Sequence, residues 1–222
     1  VDSDLARRLH APNAPKPFTV SPAWCPSSRA RGGSAPVSPE QLWCLRITSL
    51  TPQLSTLLLG TIADRWLGAR VALTGVPFRV EAVASTPAEH PQAQHLTYGA
   101  LSRSVAASPP PDQVTLRFLT PTTFRRSPAR DAPYTTDPYD VPLPIPSVVF
   151  GGLLHVWNAF APEPLPETLR AFARDCVVVS RYRLHTELVA FGSGRRGHVG
   201  GFVGQCRFAL RCADAEWRRR IA

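Results

Sequence analysis

The sequences CVVVSRYRLHTELVAF (176–191) and GFVGQCRFALRC (201–212) have the pattern of two long β-strands. In the second stretch, Gln205, Arg207 and Arg211 alternate with Cys206, Phe208 and Leu210. Alternation of polar and apolar residues is typical of a strand, whose successive side chains point to opposite faces. The end of the chain is therefore expected to form two neighbouring strands of a sheet.

Upstream of these strands, the second half of the chain contains one more strand and a helix. VTLRFL (114–119) alternates like a strand, and PSVVFGGLLHVWNAF (146–160) has a helical apolar pattern. The predicted order of this half is strand, helix, then strands.

The first half of the chain has the same order. A strand pattern in LWCLRITSL (42–50) precedes a helical pattern in TPQLSTLLLGTIADRW (51–66), with Thr51 as the helix cap. RVALTGVPFRVEAVAST (70–86) then predicts a hairpin or two short strands around Gly75. Because this order occurs twice, we expect an α+β protein of two tandem ferredoxin-like domains, with antiparallel sheets and helices packed on one face.

The expected domains are residues 1–111 and 112–222, joined at the proline-rich SPPPDQ (108–113). The chain contains no Met, and VDSDLARRLH (1–10) has the pattern of the middle of a helix. EWRRRIA (216–222) has the pattern of the first turns of another helix. We therefore expect that the first strand, the start of the first helix and a C-terminal segment lie outside this sequence.

The composition is that of a globular protein with a basic surface. Of 222 residues, 44% are hydrophobic and 18% charged, and 25 Lys and Arg against 16 Asp and Glu give a net charge of +9. Such a surface attracts polyanions, and nucleic acid is the first partner to consider. The positive charge is concentrated between residues 181 and 211. This segment contains one acidic residue, Glu187, and six arginines: Arg181, Arg183, Arg195, Arg196, Arg207 and Arg211.

Several classes of protein are not supported by the sequence. It has no run of about 18 apolar residues and no secretory signal pattern, which predicts a cytoplasmic protein without a membrane partner. Its five cysteines include no CxxC pair, so we expect reduced thiols and no structural zinc. GxSxG, HExxH and clustered carboxylates are also missing, which leaves no motif for a conventional hydrolase or a two-metal enzyme.

The glycine-rich segment GSGRRGHVGGFVG (192–204) carries two arginines and a histidine. Glycines let a backbone approach a phosphate closely, and Arg binds phosphate oxygens through two N–H groups. The segment is a candidate RNA-binding loop through Gly194, Arg195, Arg196, Gly197 and His198. The alternative is a flexible hairpin connection whose arginines are merely solvated. It is neither a Walker loop nor a dinucleotide-binding fingerprint.

A set of ordered segments resembles one known family over nearly the whole chain. The segments are LH (9–10), KPFTVSP (16–22), RITSLTPQL (46–54), LRFLTPTTFR (116–125), PLPIPSVVFGGLLHVWNAFAP (142–162), SRYRLHTELVAF (180–191) and GFVGQCRFAL (201–210). The family is the RAMP-superfamily CRISPR-associated endoribonuclease that processes precursor CRISPR RNA. The resemblance implies two tandem ferredoxin-like domains and metal-independent cleavage within CRISPR repeats, without a cofactor. Cleavage by the 2′-OH of the RNA would leave 2′,3′-cyclic phosphate and 5′-OH ends.

The resemblance also implies site residues. The family's catalytic His follows a Leu at the end of the first helix, with a Lys six residues later, and these positions fall on His10 and Lys16. An imidazole can exchange the proton of the 2′-OH or of the leaving oxygen, and a Lys can stabilise the charge of the transition state. The alternative is a helix-terminal His and an ordinary surface Lys. The position of the family's catalytic Tyr precedes Val1.

Basic residues on the predicted strands complete the candidate RNA-binding set. They are Arg125, Arg126, Arg181, Arg183, His185 and Arg207. A non-catalytic RNA-binding subunit of a CRISPR effector complex is the main alternative, because related RAMP proteins hold RNA with the same fold. A basic globular protein without a specific partner is a third possibility. The sequence leaves open whether the protein is a monomer or a homodimer and whether it contacts effector subunits.

Overall fold

The structure is a computed structural model that describes residues 9, 14–21, 23–25, 38–73, 75–126, 137–190 and 198–222. The described residues form two compact units. The first unit contains those up to Val20 together with Ile47–Ala107 and Ala159–Glu163; the second contains those of Ser21–Arg46 together with Ser108–Asn158 and Pro164–Ala222. The domain boundary after residue 111 stays a prediction.

The first unit begins with a short antiparallel pair, β1 (Phe18–Val20) and β2 (Ile47–Ser49). The predicted strand over 42–50 is thus realised only over three residues. Beyond this pair, the N–H of Ser21 donates to the carbonyl oxygen of Arg46 at 2.9 Å, and Trp24 and Cys44 form an isolated bridge.

The predicted helix over 51–66 is present as consecutive helical segments. They are α1 (Pro52–Thr56), a π-helical stretch (Leu57–Ile62) and α2 (Ala63–Trp66). Thr51 is the N-cap residue, as predicted, but its side chain makes no capping hydrogen bond. Pro52 suits the first helical position because the N–H it lacks would have no intrahelical partner.

A hairpin, as the sequence predicts, and a helix complete the first unit. β3 (Arg70–Leu73) pairs antiparallel with β4 (Val76–Arg79). Gly75 in the turn has a φ of 84°, a left-handed conformation that favours glycine. Helix α3 (Tyr98–Ala107) follows, and the Tyr98 hydroxyl donates a hydrogen bond to the carbonyl oxygen of Leu50 at 3.1 Å.

The second unit is built on an antiparallel three-stranded sheet in the order β5-β9-β8. Its strands are β5 (Gln113–Thr122), β8 (Val177–Ala190) and β9 (His198–Leu210), and a separate pair is formed by β6 (Phe124–Arg126) and β7 (Tyr139–Val141). The helices are α4 (Pro146–Phe160), α5 (Leu169–Asp175) and α6 (Ala215–Ile221). The sequence β5, α4, β8, β9, α6, with β9 between β5 and β8, is the ferredoxin-like arrangement. The predicted α+β class with antiparallel sheets is confirmed.

The helices of this unit cover one face of the sheet. Phe150 of α4 packs edge-on against Phe208 of β9, with ring centroids 5.1 Å apart, and Phe172 of α5 stacks on Trp217 of α6 at 5.5 Å. The same core contains Val149, Ala173, Val177, Cys206 and Leu210. Burying side chains of this size stabilises a fold by about 1.5–3 kcal/mol each. The core therefore lies between the helices and one face of the β5-β9-β8 sheet.

Three glycines of the glycine-rich segment, Gly200, Gly201 and Gly204, belong to β9 of this sheet, and two of them have close backbone neighbours. A Cβ on Gly201 would lie 2.8 Å from the backbone of Pro121 and Thr122 in β5. Gly204 has a φ of 126°, and a Cβ there would lie 2.2 Å from the carbonyl oxygen of Arg183 in β8. Gly201 and Gly204 therefore allow β9 to approach both neighbouring strands closely. This structural role does not depend on RNA binding by the segment.

No helix in the described part of the chain is long and apolar enough to cross a membrane.

Candidate nucleic-acid interface

The register of the sheet gathers arginines on the face that the helices leave uncovered. Arg181 of β8 lies opposite Arg207 of β9, and Arg183 lies opposite Gln205. From β5, Thr115 lies opposite Arg207 and Arg117 lies opposite Gln205. Side chains of directly opposite residues share one side of a sheet. We call this set the basic face: Thr115, Arg117, Arg181, Arg183, Gln205 and Arg207.

Residues between the members of the basic face point into the core. Leu116 lies opposite Cys206, which is fully buried, and Val114 lies opposite Phe208. Arg117, Arg181 and Arg183 are exposed, and Arg207 in the central strand is half-buried. The alternation in β5 and β9 therefore separates a buried apolar side from a polar, basic side.

A bulge in β8 decides which side its arginines occupy. Val177 and Val179 lie opposite Leu210 and Phe208 and face the core, but the register shifts between Val179 and Arg181. Without that shift, the period of two would turn Arg181 toward the helices. The bulge therefore places the arginines of β8 on the same side as Arg207.

The arginines of the basic face have no carboxylate neighbours on their own strands. β5 and β9 contain no Asp or Glu, and Glu187 is the acidic residue of β8. Glu187 is hydrogen-bonded by His185, whose Nε2 lies 3.0 Å from Oε1. Among the described residues, no ion pair involves an arginine of this face. Guanidinium groups in this state are free to bind phosphate oxygens.

Among the described residues of β5, β8 and β9, no Phe, Tyr or Trp lies on the side of the basic face to stack on bases. The aromatic residue of β8, Tyr182, lies opposite Cys206 and therefore on the other side of the sheet. Phe118 and Phe150 are both core residues, and Phe118 contacts Phe202 at 4.6 Å between ring centroids. The chemistry of the face therefore suits a phosphate backbone better than unstacked bases.

The other predicted site residues are distributed as follows. Arg125 pairs with Asp140 at 3.6 Å in the β6–β7 sheet, where Arg126 is exposed opposite Tyr139. Gly194, Arg195, Arg196 and Gly197 lie outside the described residues, and His198 is described only as the first residue of β9. The structure thus brings together Arg181, Arg183 and Arg207 from the predicted set.

Arg117 and Thr115 were missing from the predicted RNA-binding residues. The signal for them was present, since VTLRFL alternates as β9 does. What the sequence did not reveal is the pairing that sets Arg117 beside Gln205 and Thr115 beside Arg207.

Of the two predicted catalytic residues, the structure describes Lys16, which belongs to the first unit. Lys16 is exposed and lies two residues before β1, where the carbonyl oxygen of Pro17 accepts a hydrogen bond from the N–H of Leu50 at 2.7 Å. His10 lies outside the described residues. No group of three or more His, Cys, Asp or Glu that could hold a metal ion occurs in the described ranges.

A family model matches the part of the chain that contains all of the basic face except Thr115. Residues 116–219 match the family described as CRISPR-associated endoribonuclease Cas6. No curated protein matches the chain.

Solved structures match nearly the whole chain. The product complex of Cas6 (TTHB231) is 28% identical with a TM-score of 0.70, and the match covers 99% of this chain and 77% of that one. The organism named for Cas6 (TTHB231) is Thermus thermophilus. The product complex of Cas6 (TTHA0078) is 25% identical with a TM-score of 0.71, covering 99% of this chain and 76% of the other. A substrate mimic complex of Cas6 (TTHA0078) matches at 26% identity and a TM-score of 0.66, over 99% and 77% of the two chains. The tandem ferredoxin-like fold and the resemblance to RAMP-type CRISPR-associated endoribonucleases are confirmed.

Proposed function

From this resemblance to the RAMP-type CRISPR-associated endoribonucleases, we propose that the protein cleaves precursor CRISPR RNA within its repeats. Solved Cas6 structures with product and with a substrate mimic support the assignment of repeat RNA as the ligand. The observation that carries the proposal is the basic face, where four arginines without described acidic partners share one side of a rigid sheet.

The basic face binds the RNA backbone in this proposal. Its arginines neutralise phosphates, and Thr115 and Gln205 add hydrogen-bonding groups between them. Arg195, Arg196 and His198 of the glycine-rich segment, together with Arg125, Arg126 and His185, remain further candidates for RNA contact. Phosphate contacts fix the register of the RNA but do not by themselves read its sequence.

His10 and Lys16 carry out the cleavage in this proposal. The 2′-OH loses its proton as its oxygen bonds to the adjacent phosphorus, and the bond from phosphorus to the 5′-oxygen breaks. His10 is the acid or base that exchanges a proton with one of these oxygens. Lys16 stabilises the extra negative charge of the five-coordinate phosphorus. The products are a 2′,3′-cyclic phosphate and a 5′-OH, and no metal ion takes part.

The proposal is tested with end-labelled repeat RNA and the full chain in EDTA. His10→Ala and a substrate with a 2′-deoxy sugar at the cleavage position should each abolish cleavage at one site. His90→Ala is the control, since His90 lies in a loop of the first unit and should leave cleavage unchanged.

Two results would contradict the proposed cleavage. Loss of cleavage in EDTA, restored by a divalent ion, would exclude the metal-independent route. Tight binding of repeat RNA over a scrambled RNA without any cleavage would identify instead a non-catalytic RNA-binding subunit.

A further inference from the structure

Two cysteines of the second unit meet where the β8–β9 hairpin begins and ends. Cys176 caps the C-terminus of α5, where its N–H donates to the carbonyl oxygen of Phe172 at 2.8 Å. Val177 then lies opposite Leu210 in the ladder. One step further out, the N–H of Arg211 donates to the carbonyl oxygen of Cys176 at 2.7 Å, and Cys212 is the next residue. The strand pairing therefore holds the two cysteines side by side.

The two side chains are neighbours at this end of the hairpin, with Cys176 beside Arg211 and Cys212 one residue beyond. Both side chains are half-buried and pack against the core that contains Phe172 and Phe208. Burial raises the pKa of the Cys176 thiol, and the neighbouring Cys212 raises it further. The raised pKa keeps the Cys176 thiol protonated near neutral pH and slows its reaction, because the thiolate is the nucleophile.

We propose that Cys176 and Cys212 are an oxidisable dithiol that forms an intramolecular disulfide in the presence of peroxide. A Cys thiolate attacks one peroxide oxygen, the O–O bond breaks, and a sulfenic acid forms as hydroxide leaves. The second thiol then attacks the sulfenic sulfur, the S–S bond forms and water leaves. Each sulfur gives up one electron, and hydrogen peroxide is reduced to two waters. No co-reactant other than peroxide is required.

The disulfide would act on the hairpin that carries most of the basic face. It would join Cys176 at the end of α5 to Cys212, the second residue after β9, and so close a loop that contains both strands. A cross-link lowers the entropy of the unfolded chain, more so for longer loops. Oxidation is therefore expected to stabilise the second unit. It should not remove RNA binding, because neither cysteine belongs to the basic face.

The other cysteines provide internal comparisons. Cys206 is fully buried on the core side of β9, and burial alone raises the pKa of its thiol. Cys44 forms the bridge with Trp24, Cys25 is the residue after Trp24, and the pKa of Cys44 is raised by burial and by Cys25. Peptide mapping distinguishes a bond within this second pair from the proposed one.

The test treats the full folded chain with hydrogen peroxide at about pH 8.5, where more thiolate forms. Free thiols are then alkylated, and the protein is digested without reductant for mass spectrometry. The expected result is one linked peptide pair containing Cys176 and Cys212, two hydrogens lighter than the sum of its parts. The Tm should rise by about 5–10 °C on oxidation and fall back with dithiothreitol.

Cys176→Ala and Cys212→Ala should each abolish the linked peptide and the Tm shift, whereas Cys44→Ala should retain both. Circular dichroism of the reduced variants shows whether each is folded, and Cys176→Ser offers a second replacement if the alanine variant is not. Separate alkylation of Cys176 and Cys212 after peroxide treatment of the folded protein would overturn the proposal. So would a bond from either cysteine to Cys25, Cys44 or another copy of the chain.

Discussion

The two units differ in how their described residues are held together. In the second unit, Phe202, Phe208, Leu169 and Cys206 each expose less than 2% of their surface. In the first unit, Leu54 at 5% exposure is the one described side chain in the buried class. The first unit contains the proposed catalytic Lys16, and the second contains the basic face. The difference suggests that stability and RNA binding depend mainly on the second unit, while the chemistry depends on the first.

The largest expected effect is on stability in the second unit. Phe208→Ala removes a fully buried ring that packs against Phe150 at 5.1 Å. We expect a loss of about 3–5 kcal/mol in the free energy of unfolding, measured by urea denaturation. Leu54→Ala is the matched test in the first unit, where we expect a smaller loss of about 2–3 kcal/mol. An equal or larger loss for Leu54→Ala would remove the contrast between the units.

The next largest effect is expected for Lys16, whose replacement should change the cleavage rate and not the affinity for RNA. Lys16→Ala should lower the single-turnover cleavage rate on the order of a hundredfold, because a positive charge beside the transition state is lost. The RNA dissociation constant, measured by filter binding, should change much less. Arg79→Ala is the control in the same unit, since Arg79 is exposed and pairs with Glu81. A loss of affinity that matches the loss of rate would assign Lys16 to binding instead.

A smaller effect is expected from a single arginine of the basic face. Arg117→Ala should weaken RNA binding about tenfold, as expected for one charge-assisted phosphate contact. It should also make the plot of log affinity against log salt shallower by about 0.7–1. Arg174→Ala is the control, since Arg174 is exposed in the same unit and bound to Asp175. An unchanged salt slope for Arg117→Ala would show that RNA does not contact this face.

The sequence could predict most of this architecture because its strongest signals are local. The apolar pattern over 146–160 and the alternation from Val177 onward coincide with α4 and β8. The bulge after Val179 could not be predicted, because it depends on pairing with β9, and it determines which side Arg181 and Arg183 occupy. The short helix α5 was also missed, since its seven residues give too little periodicity to recognise.

The sequence could predict which residue type forms the candidate site, but not which arginines lie together on the sheet. Basic residues were visible as a concentration of arginine, but a face of a sheet is made by register between distant strands. Arg117 joins Arg183 only because both lie opposite Gln205. The catalytic pair came from the resemblance alone, because nothing in the local pattern of LH (9–10) or KPFTVSP (16–22) requires catalysis.

A modest effect is expected at the start of α6, which packs on the core of the second unit. The Asp214 carboxylate accepts hydrogen bonds from the N–H groups of Glu216 at 2.8 Å and Trp217 at 3.4 Å. Asp214→Ala should cost about 1 kcal/mol in the free energy of unfolding, and Asp214→Asn much less, since Asn also caps helices. Equal losses for the two variants would mean that charge, not capping, is the relevant property.

The smallest effect is expected in the first unit, where a loop is held by one carboxylate and not by buried side chains. Glu89 Oε2 accepts hydrogen bonds from the N–H groups of Ser85 at 2.8 Å and Thr86 at 2.9 Å, and these bonds lower the pKa of Glu89. A carboxyl whose pKa is lower in the folded state stabilises the fold above its unfolded pKa of about 4.3, and this contribution is lost as the pH falls through the folded pKa. Hydrogen exchange at the Ser85 and Thr86 amides should therefore become faster, relative to other amides, in acid and in Glu89→Gln. Glu81→Gln is the control and should leave the protection of these two amides unchanged. If the protection does not change with the ionisation of Glu89, other contacts hold the loop.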